Sequence, residues 1–428
     1  MRFSASAPLR GEARIPGDKS ISHRALMLAA MALGRSRVAG LSEGGDIAST
    51  AAALRAMGVC IKREGDAWTV DGVGAGGLLQ PEAALDMGNS GTSARLLMGL
   101  AASHPIAAAF TGDASLSARP MARVIRPLSR LGADIAASPG GRLPLMIRGA
   151  CPAVPLEHRM EFPSAQVKSA ILLAALNIPG VTTVIEPVAT RDHSERMLKA
   201  FGAEIAVEGE RISLRGEAEL RAHDIAVPGD PSAAAFPLVA ALLVPGSEVR
   251  MANVGVNPGR AGLFEVLREM GADLAFSNPR VAGGEPVADL SARASPLRGV
   301  DVPPELAPAM IDEFPILFVA AAFAQGTTRT RGLGELRVKE SDRLAAMAEG
   351  LRAIGARVEE NEDGLIVHGS GGEPLAGGAT IDPRLDHRIA MAFAVAGLHC
   401  RGPVTLADMS AADTSFPGFV AMLEELAA

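Results

Sequence analysis

At 428 residues the chain is longer than one ordinary core supports, which points to two domains or a large repeat assembly. Its net charge of −7 argues against a nucleic-acid binder, and three cysteines without paired spacing indicate neither a zinc site nor a disulfide framework. With 48% hydrophobic but only 3% aromatic residues, the core has to be packed from Ala, Leu, Val and Met, which lets helices approach closely.

The opening stretch RFSASAPLRGEARIPG lacks the apolar core of a signal peptide and reads as a strand over residues 2–14. It is followed by IPGDKSISHRALMLAAMALG, which crowds an aspartate, a lysine, two serines, a histidine and an arginine onto the start of a helix. No polar side chain occurs from Ala25 to Leu33, so this helix is expected to be buried on every face. Five later segments repeat the arrangement: GNSGTSARLLMGLAA, PSAQVKSAILLAALN, GDPSAAAFPLVAALL, DEFPILFVAAAFAQG and DHRIAMAFAVAGLHC.

Between them recur LRAMGVCI, LSRLGADI, LKAFGAEI, LREMGADL and LRAIGARV, each read as an amphipathic helix ending on a glycine that tolerates positive φ. A strand pair follows each. The glycines Gly58, Gly132, Gly202, Gly271 and Gly355 lie roughly 70 to 85 residues apart, which makes them marks of a repeat. The predicted unit is a buried helix, a strand, an amphipathic helix and a strand pair, and six such units fill nearly the whole chain. The terminal helix FPGFVAMLEELAA lacks its strand pair, so the N-terminal strand is expected to complete the last unit.

Pro-Gly-Asp breaks in PGDKS and VPGDPS divide the units into two α/β domains of three, residues 18–229 and residues 1–17 with 230–428. The longest apolar run, near Ala233 to Val244, carries Pro237 and is too short to span a bilayer, so a soluble cytoplasmic protein is expected. The dinucleotide-like spacing Gly72-x-Gly74-x-x-Gly77 is followed by LLQPEAAL where a helix is needed, which makes it a loop. No Walker loop, HExxH or GxSxG occurs, and the expected chemistry needs neither a metal nor a covalent nucleophile.

If the buried helices run parallel within each bundle, their N-termini collect at one face and favour anions there. Lys19, Arg24, Arg95, Lys168 and Arg388 sit at those turns, and Arg119, Arg191, Lys339 and Arg343 sit in nearby loops. On an acidic chain this local inversion of sign predicts a cleft for a small, multiply anionic substrate. Two carboxylates break the basic pattern, Asp312 and Glu340, and a carboxylate among fixed cations is suited to hold a hydroxyl or take its proton. Glu313, Glu335 and Asp342 read as helix caps or surface ion pairs, His387 as a buried, satisfied side chain, and His23 as packing and capping.

Taken together and in order, PGDKSISHR, GNSGT, DASLSARPM, VPGDPS, RVKESDR and DHRIAM resemble the EPSP synthase family, the 3-phosphoshikimate 1-carboxyvinyltransferases of the shikimate pathway. SAQVKSA, ATRDH and MIDEFP are similar to the divergent bacterial class that includes glyphosate-tolerant members. The resemblance implies a two-domain inside-out α/β barrel of six βαβαββ units, three per domain. It also implies transfer of the enolpyruvyl group of phosphoenolpyruvate to the 5-hydroxyl of shikimate 3-phosphate, without cofactor or metal, by a cytoplasmic monomer that binds neither nucleic acid nor membrane.

By the same resemblance, Lys19, Ser20, Arg24, Ser164, Ala165, Gln166, Arg191, Asp312 and Lys339 would bind shikimate 3-phosphate. Lys19, Gly91, Arg119, Gln166, Arg343 and Arg388 would line the phosphoenolpyruvate pocket. Asp312 would be the base toward the 5-hydroxyl, with Glu340 and Lys19 handling the proton at the methylene carbon. Three positions depart from the common family pattern: Ala165 replaces a serine, Leu96 a proline, and Thr414 a lysine that contacts phosphate. The alternatives are UDP-N-acetylglucosamine enolpyruvyl transferase, which uses a loop cysteine that GDASLSARP lacks, and a non-catalytic phosphate- or RNA-binding repeat protein.

Overall fold

The computed structural model describes residues 1–428 and contains six long core helices. Three of them, Lys19–Met31, Gly91–Ala102 and Ala165–Ala175, belong to one compact unit formed by Gly17–Val227 with Ala282–Glu285. The other three, Pro231–Leu243, Phe314–Phe323 and His387–Gly397, belong to a unit formed by Met1–Pro16, Pro228–Val281 and Pro286–Ala428. Each unit has its own hydrophobic core.

The core helices sit within repeats of one plan, four with four-stranded sheets and the last two with three-stranded ones. In the second repeat, Leu85–Asp86 lies parallel to Ala107–Thr111, which pairs antiparallel with Arg142–Arg148, which pairs in turn with Asp134–Ser138. The third repeats this order with Glu157–Arg159, Val181–Ile185, Arg211–Arg215 and Ile205–Glu208. In the first repeat the leading strand is missing from its own sequence position. Ile225–Ala226, at the far end of the same unit, fills the place by pairing parallel with Leu33–Ala39.

The N-terminus does the equivalent for the other unit, but not as one strand. Arg2–Phe3 pairs antiparallel with Val404–Leu406 of the last repeat, whereas Arg10–Glu12 pairs parallel with Glu248–Gly255 of the fourth. Pro8 stands between the two and cannot donate to a ladder, so the single strand expected over residues 2–14 is broken into two short ones serving different sheets. The first core helix also stops sooner than its apolar run does. Met31 is its last residue, and Leu33 begins a strand with 48% of its surface exposed.

The amphipathic outer helices end as expected, with φ of +91°, +112°, +88°, +91° and +97° at Gly58, Gly132, Gly202, Gly271 and Gly355. A second set of glycines answers a different need. A Cβ on Gly72 would lie 2.1 Å from the carbonyl oxygen of Ala32, on Gly149 2.0 Å from that of His104, on Gly216 2.0 Å from that of Ile178, and on Gly369 2.0 Å from that of Ala324. In four repeats, then, the strand pair closes with bare backbone pressed onto the C-terminal end of the core helix. Of the dinucleotide-like spacing, only Gly72 makes that contact; Gly74 has a φ of +80° and Gly77 lies against the carbonyl of Val73. Pro237 is accommodated inside the helix Pro231–Leu243, and no single helix is long and apolar enough to cross a membrane.

Close approach also governs helix against helix. A Cβ on Gly99 of the second core helix would meet Ala170 of the third at 2.2 Å from its carbonyl oxygen and 2.8 Å from its Cα. Helix propensity alone would favour Gly99→Ala by about 1 kcal/mol, but backbone on both sides cannot yield, and the change should instead cost about 3 kcal/mol or more. Gly202→Ala meets no atom within 4 Å and carries only the cost of a left-handed alanine, about 1–2 kcal/mol. Denaturant unfolding of the two variants checks the order; a Gly99→Ala protein no less stable than Gly202→Ala would contradict it.

Candidate functional site

A helix buried along its length has first-turn N–H groups that water cannot reach, and the chain supplies the acceptors. In the Gly17–Val227 unit these are Asp18, Ser90 and Ser164, which accept from the backbone N–H of Ile21, Ser93 and Val167. Around these caps gather the polar residues singled out from sequence.

Arg24 is nearly fully buried and ties the first core helix to the third. Its Nε donates to Ser194 Oγ at 2.8 Å, its Nη2 to Ser169 Oγ at 2.7 Å, and its Nη1 to the carbonyl of Ser20 at 2.8 Å. Burial lowers its pKa to about 10, opposed by Glu195 and Asp18, and the nearby Arg191 lowers it further. Lys19 Nζ lies 3.0 Å from Asp46 Oδ2.

Arg95 and Gln166 join the second and third core helices: Nη1 donates to Oε1 at 2.8 Å, and Gln166 Nε2 donates to Thr92 Oγ1 at 3.0 Å. Arg119 follows the short helix Ala114–Ala118 and is oriented by Asn89 Oδ1 at 2.6 Å and Ser115 Oγ at 3.0 Å. Gly91 sits between these two arginines. A Cβ there would be 2.7 Å from Arg95 Nη1 and 3.4 Å from Arg119 Nη1. The helix N-turn is thus bare backbone bordered by two guanidinium groups, the chemistry of an anion site. Ala165 opens the third core helix beside its cap Ser164, and Arg191 lies in the loop before the helix His193–Ala200.

In the other unit the polar residues form one network around Arg343, which is 1% exposed. Its Nε donates to Asp386 Oδ2 at 2.8 Å, its Nη2 to Glu340 Oε2 at 2.6 Å, and its Nη1 to Asp312 Oδ1 at 3.4 Å. Burial alone would push this guanidinium down, but Asp386, Glu340 and Asp312 outweigh it and raise its pKa. Arg388 Nε stands 3.9 Å from Asp312 Oδ1. Lys339 is lowered by burial and by Arg343, with Asp312, Glu335 and Glu340 opposing. Asp386 caps the last core helix through the N–H of Arg388. DHRIAM shows that cap in sequence, but not its second role as the partner of Arg343.

Several expectations need correction. Lys168 does not join the anion-facing cations; its side chain is fully buried, with Nζ 2.8 Å from Glu186 Oε2 and 2.7 Å from Glu195 Oε1. Glu313 occupies the N-cap position of the helix Phe314–Phe323 but makes no side-chain capping bond, and it is not on the surface. It is 2% exposed, accepts a hydrogen bond from Ser232 Oγ, and stands 3.9 Å from Arg260. His23 packs against Thr50, with Nδ1 2.7 Å from Oγ1, but the cap of its helix is Asp18. Asp342 is a cap, accepting from Ala345 N–H at 3.0 Å. Leu96 is buried in the second core helix, and the Thr414 hydroxyl donates to the carbonyl of Ala411. Asp46, Asn89, Ser169 and Ser194 had no signal in sequence, because nothing in a serine or aspartate marks which distant cation it will hold.

The sequence model of EPSP synthase (3-phosphoshikimate 1-carboxyvinyltransferase) matches residues 3–423. The 3-phosphoshikimate 1-carboxyvinyltransferase of Sphingopyxis alaskensis is 65% identical over 434 residues, 99% of this chain and 97% of its own. That of Novosphingobium aromaticivorans is 62% identical over 99% of this chain and 98% of its own. Among solved structures, EPSP synthase from Acinetobacter baumannii superposes with a TM-score of 0.89 at 45% identity, covering 99% and 97% of the two chains. The enolpyruvyl transferase NikO from Streptomyces tendae, at 20% identity and a TM-score of 0.79, shares the fold.

The buried His23 carries a pH dependence. Burial, then Lys19 and Arg24, hold its pKa well below the ordinary 6.5. As the pH falls through 6.5 the unfolded chain takes up a proton that the folded chain refuses, so His23 withdraws stability on the acid side and is silent above it. The His23→Asn protein should therefore lose less stability than the parent between about pH 7 and about pH 5. Thermal melts at both pH values decide it, and equal losses would show that His23 titrates normally.

Proposed function

Because the chain belongs to the EPSP synthase family, we propose that its two polar networks are the binding and catalytic groups for that family's substrates. The activity is transfer of the enolpyruvyl group of phosphoenolpyruvate to the 5-hydroxyl of shikimate 3-phosphate, with release of phosphate, on an inside-out α/β barrel of six βαβαββ repeats. The observation that carries the assignment of groups is Gly91: a bare helix N-turn between two guanidinium groups on a chain of net charge −7.

Shikimate 3-phosphate is assigned Lys19, Ser20, Arg24, Ser164, Ala165, Gln166, Arg191, Asp312 and Lys339. Phosphoenolpyruvate is assigned Lys19, Gly91, Arg119, Gln166, Arg343 and Arg388. A cytoplasmic monomer completes the reading, since both substrates are small metabolites.

Asp312 is assigned the base role, taking the proton of the 5-hydroxyl as that oxygen adds to C2 of the enolpyruvyl group, while Glu340 or Lys19 delivers a proton to C3. The tetrahedral intermediate then expels phosphate from C2, and loss of a proton from C3 restores the double bond. The cations do not make the carbon electrophilic. They hold two polyanions together against their repulsion and stabilise the departing phosphate. The pairing of Arg343 with both Asp312 and Glu340 keeps the two carboxylates in fixed relation to one another. Its longest contact, the 3.4 Å one to Asp312, is the one that yields most readily to a ligand.

Phosphate release measured with both substrates present tests the activity; release that does not depend on shikimate 3-phosphate would refute it. The Asp312→Asn protein retains the shape of the side chain but not its charge, and turnover should fall by at least about a hundredfold with folding intact. Near-normal turnover would take Asp312 out of the base role.

Gly91 has a φ outside the left-handed region, so backbone strain does not explain it. A methyl group there would press on Arg95 Nη1 and Arg119 Nη1, the ends of flexible side chains, so Gly91→Ala should fold normally. Glyphosate is longer than phosphoenolpyruvate, and the methyl should raise the glyphosate inhibition constant more than the phosphoenolpyruvate KM. A ratio that is unchanged or lower would mean that this turn does not discriminate between them.

A further inference from the structure

Lys168 has no exposed surface, yet it sits four residues after Ser164, on the helix whose N-turn faces the substrates. Its ammonium holds two carboxylates. Glu186 ends the strand side of the loop that carries Arg191, and Glu195 lies on the helix that follows that loop. The second oxygen of Glu186 accepts from the hydroxyl of Thr190, the residue just before Arg191. The loop is therefore fastened at both ends to one lysine.

The next residue along each helix repeats the fastening. Ser169 follows Lys168, Ser194 precedes Glu195, and their hydroxyls are 2.7 Å apart. Those same two hydroxyls receive Nη2 and Nε of Arg24. The ion pair and the hydroxyl pair thus fix one spacing between the two helices, and Arg24 is seated on that spacing.

As a source of stability the triad is a poor choice. One cation and two carboxylates leave a net negative charge in the interior, and burial pushes Glu195 upward against the pull of Lys168. Apolar residues of similar volume often serve as well or better.

We propose that Lys168, Glu186 and Glu195 form a positioning triad that sets Arg24 and Arg191 for shikimate 3-phosphate without touching it. This rests on the assignment of those two arginines made above. Of the groups assigned to phosphoenolpyruvate, Arg119 is oriented by Asn89 and Ser115, not by the triad, and Gly91 lies beside Arg95.

Steady-state kinetics with each substrate varied in turn provides the test. Lys168→Met should raise the KM for shikimate 3-phosphate about tenfold or more while moving the KM for phosphoenolpyruvate by less than about threefold. In Lys168→Met/Glu186→Gln/Glu195→Gln the cation and both buried carboxylates are gone, so thermal stability should recover toward that of the parent while the shikimate 3-phosphate KM stays high. Glu195→Gln alone should shift the same ratio in the same direction, and it serves if Lys168→Met does not fold. Equal rises for both substrates, or a KM that recovers along with stability, would reduce the triad to a structural element. Arg191→Ala in the same assay separates the two levels: an unchanged shikimate 3-phosphate KM there would overturn the site assignment itself, whereas a large rise there with none in Lys168→Met overturns only the triad.

Discussion

The first-turn N–H groups of a helix buried on every side have no partner unless the chain brings one. That requirement organises this protein. Five of the six core helices meet it with a short polar side chain: Asp18, Ser90, Ser164, Asp230 and Asp386. The helix Phe314–Phe323 has no side-chain cap. Pro315 removes one of its orphan donors, and the turn ahead of it holds Asp312 and the buried Glu313. The acidic residue with the proposed catalytic role therefore stands at the one core helix whose start is not closed off by its own cap. Elsewhere the caps draw polar atoms to the helix starts, where the dipole is positive and anions are favoured.

A second constraint acts at the other end of the same helices. Gly72, Gly149, Gly216 and Gly369 bring strand backbone within about a methyl's reach of core-helix carbonyls, and Gly99 does the same between two helices. An interior built on such contacts has little room for aromatic rings, which accounts for a chain that is 48% hydrophobic and 3% aromatic. Composition, repeat and fold are one fact seen at three scales: small side chains permit the approach, and the approach is repeated.

What sequence revealed and what it hid divide along the same line. The glycines at helix ends, the apolar helices and the cations near their starts are local signals, and Gly58, Arg119 and Asp342 were legible for that reason, whereas Gly91 was marked only by the family resemblance. Pairings set by the fold were not. Ile225–Ala226 is too short to announce itself as the strand that closes the first sheet, and Pro8 splits an N-terminal segment that alternation alone joins. Lys168 reads as one more cation at a helix start, because spacing tells which turn a residue occupies and not which side of the helix its charge faces. Three to four residues from the N-turn, the side chain has rotated from the exposed end into the interior, where only Glu186 and Glu195 could make it tolerable.

The cations proposed to bind the substrates are already matched before any ligand arrives. Lys19 has Asp46, Arg343 has Asp386, Glu340 and Asp312, and Arg119 has the neutral oxygens of Asn89 and Ser115. A phosphate or carboxylate entering such a site exchanges partners instead of meeting bare charge, and the gain is the difference between two ion pairs, not the whole of one. Binding then draws less on raw attraction than on geometry. A ligand succeeds when its oxygens match the directions in which the guanidinium groups are already held. That places the discriminating power in the groups that aim them, Gln166 for Arg95, Asn89 for Arg119, and Ser169 with Ser194 for Arg24. On the proposed assignment, the polar residues behind the cations, and not the cations alone, decide which polyanion is accepted.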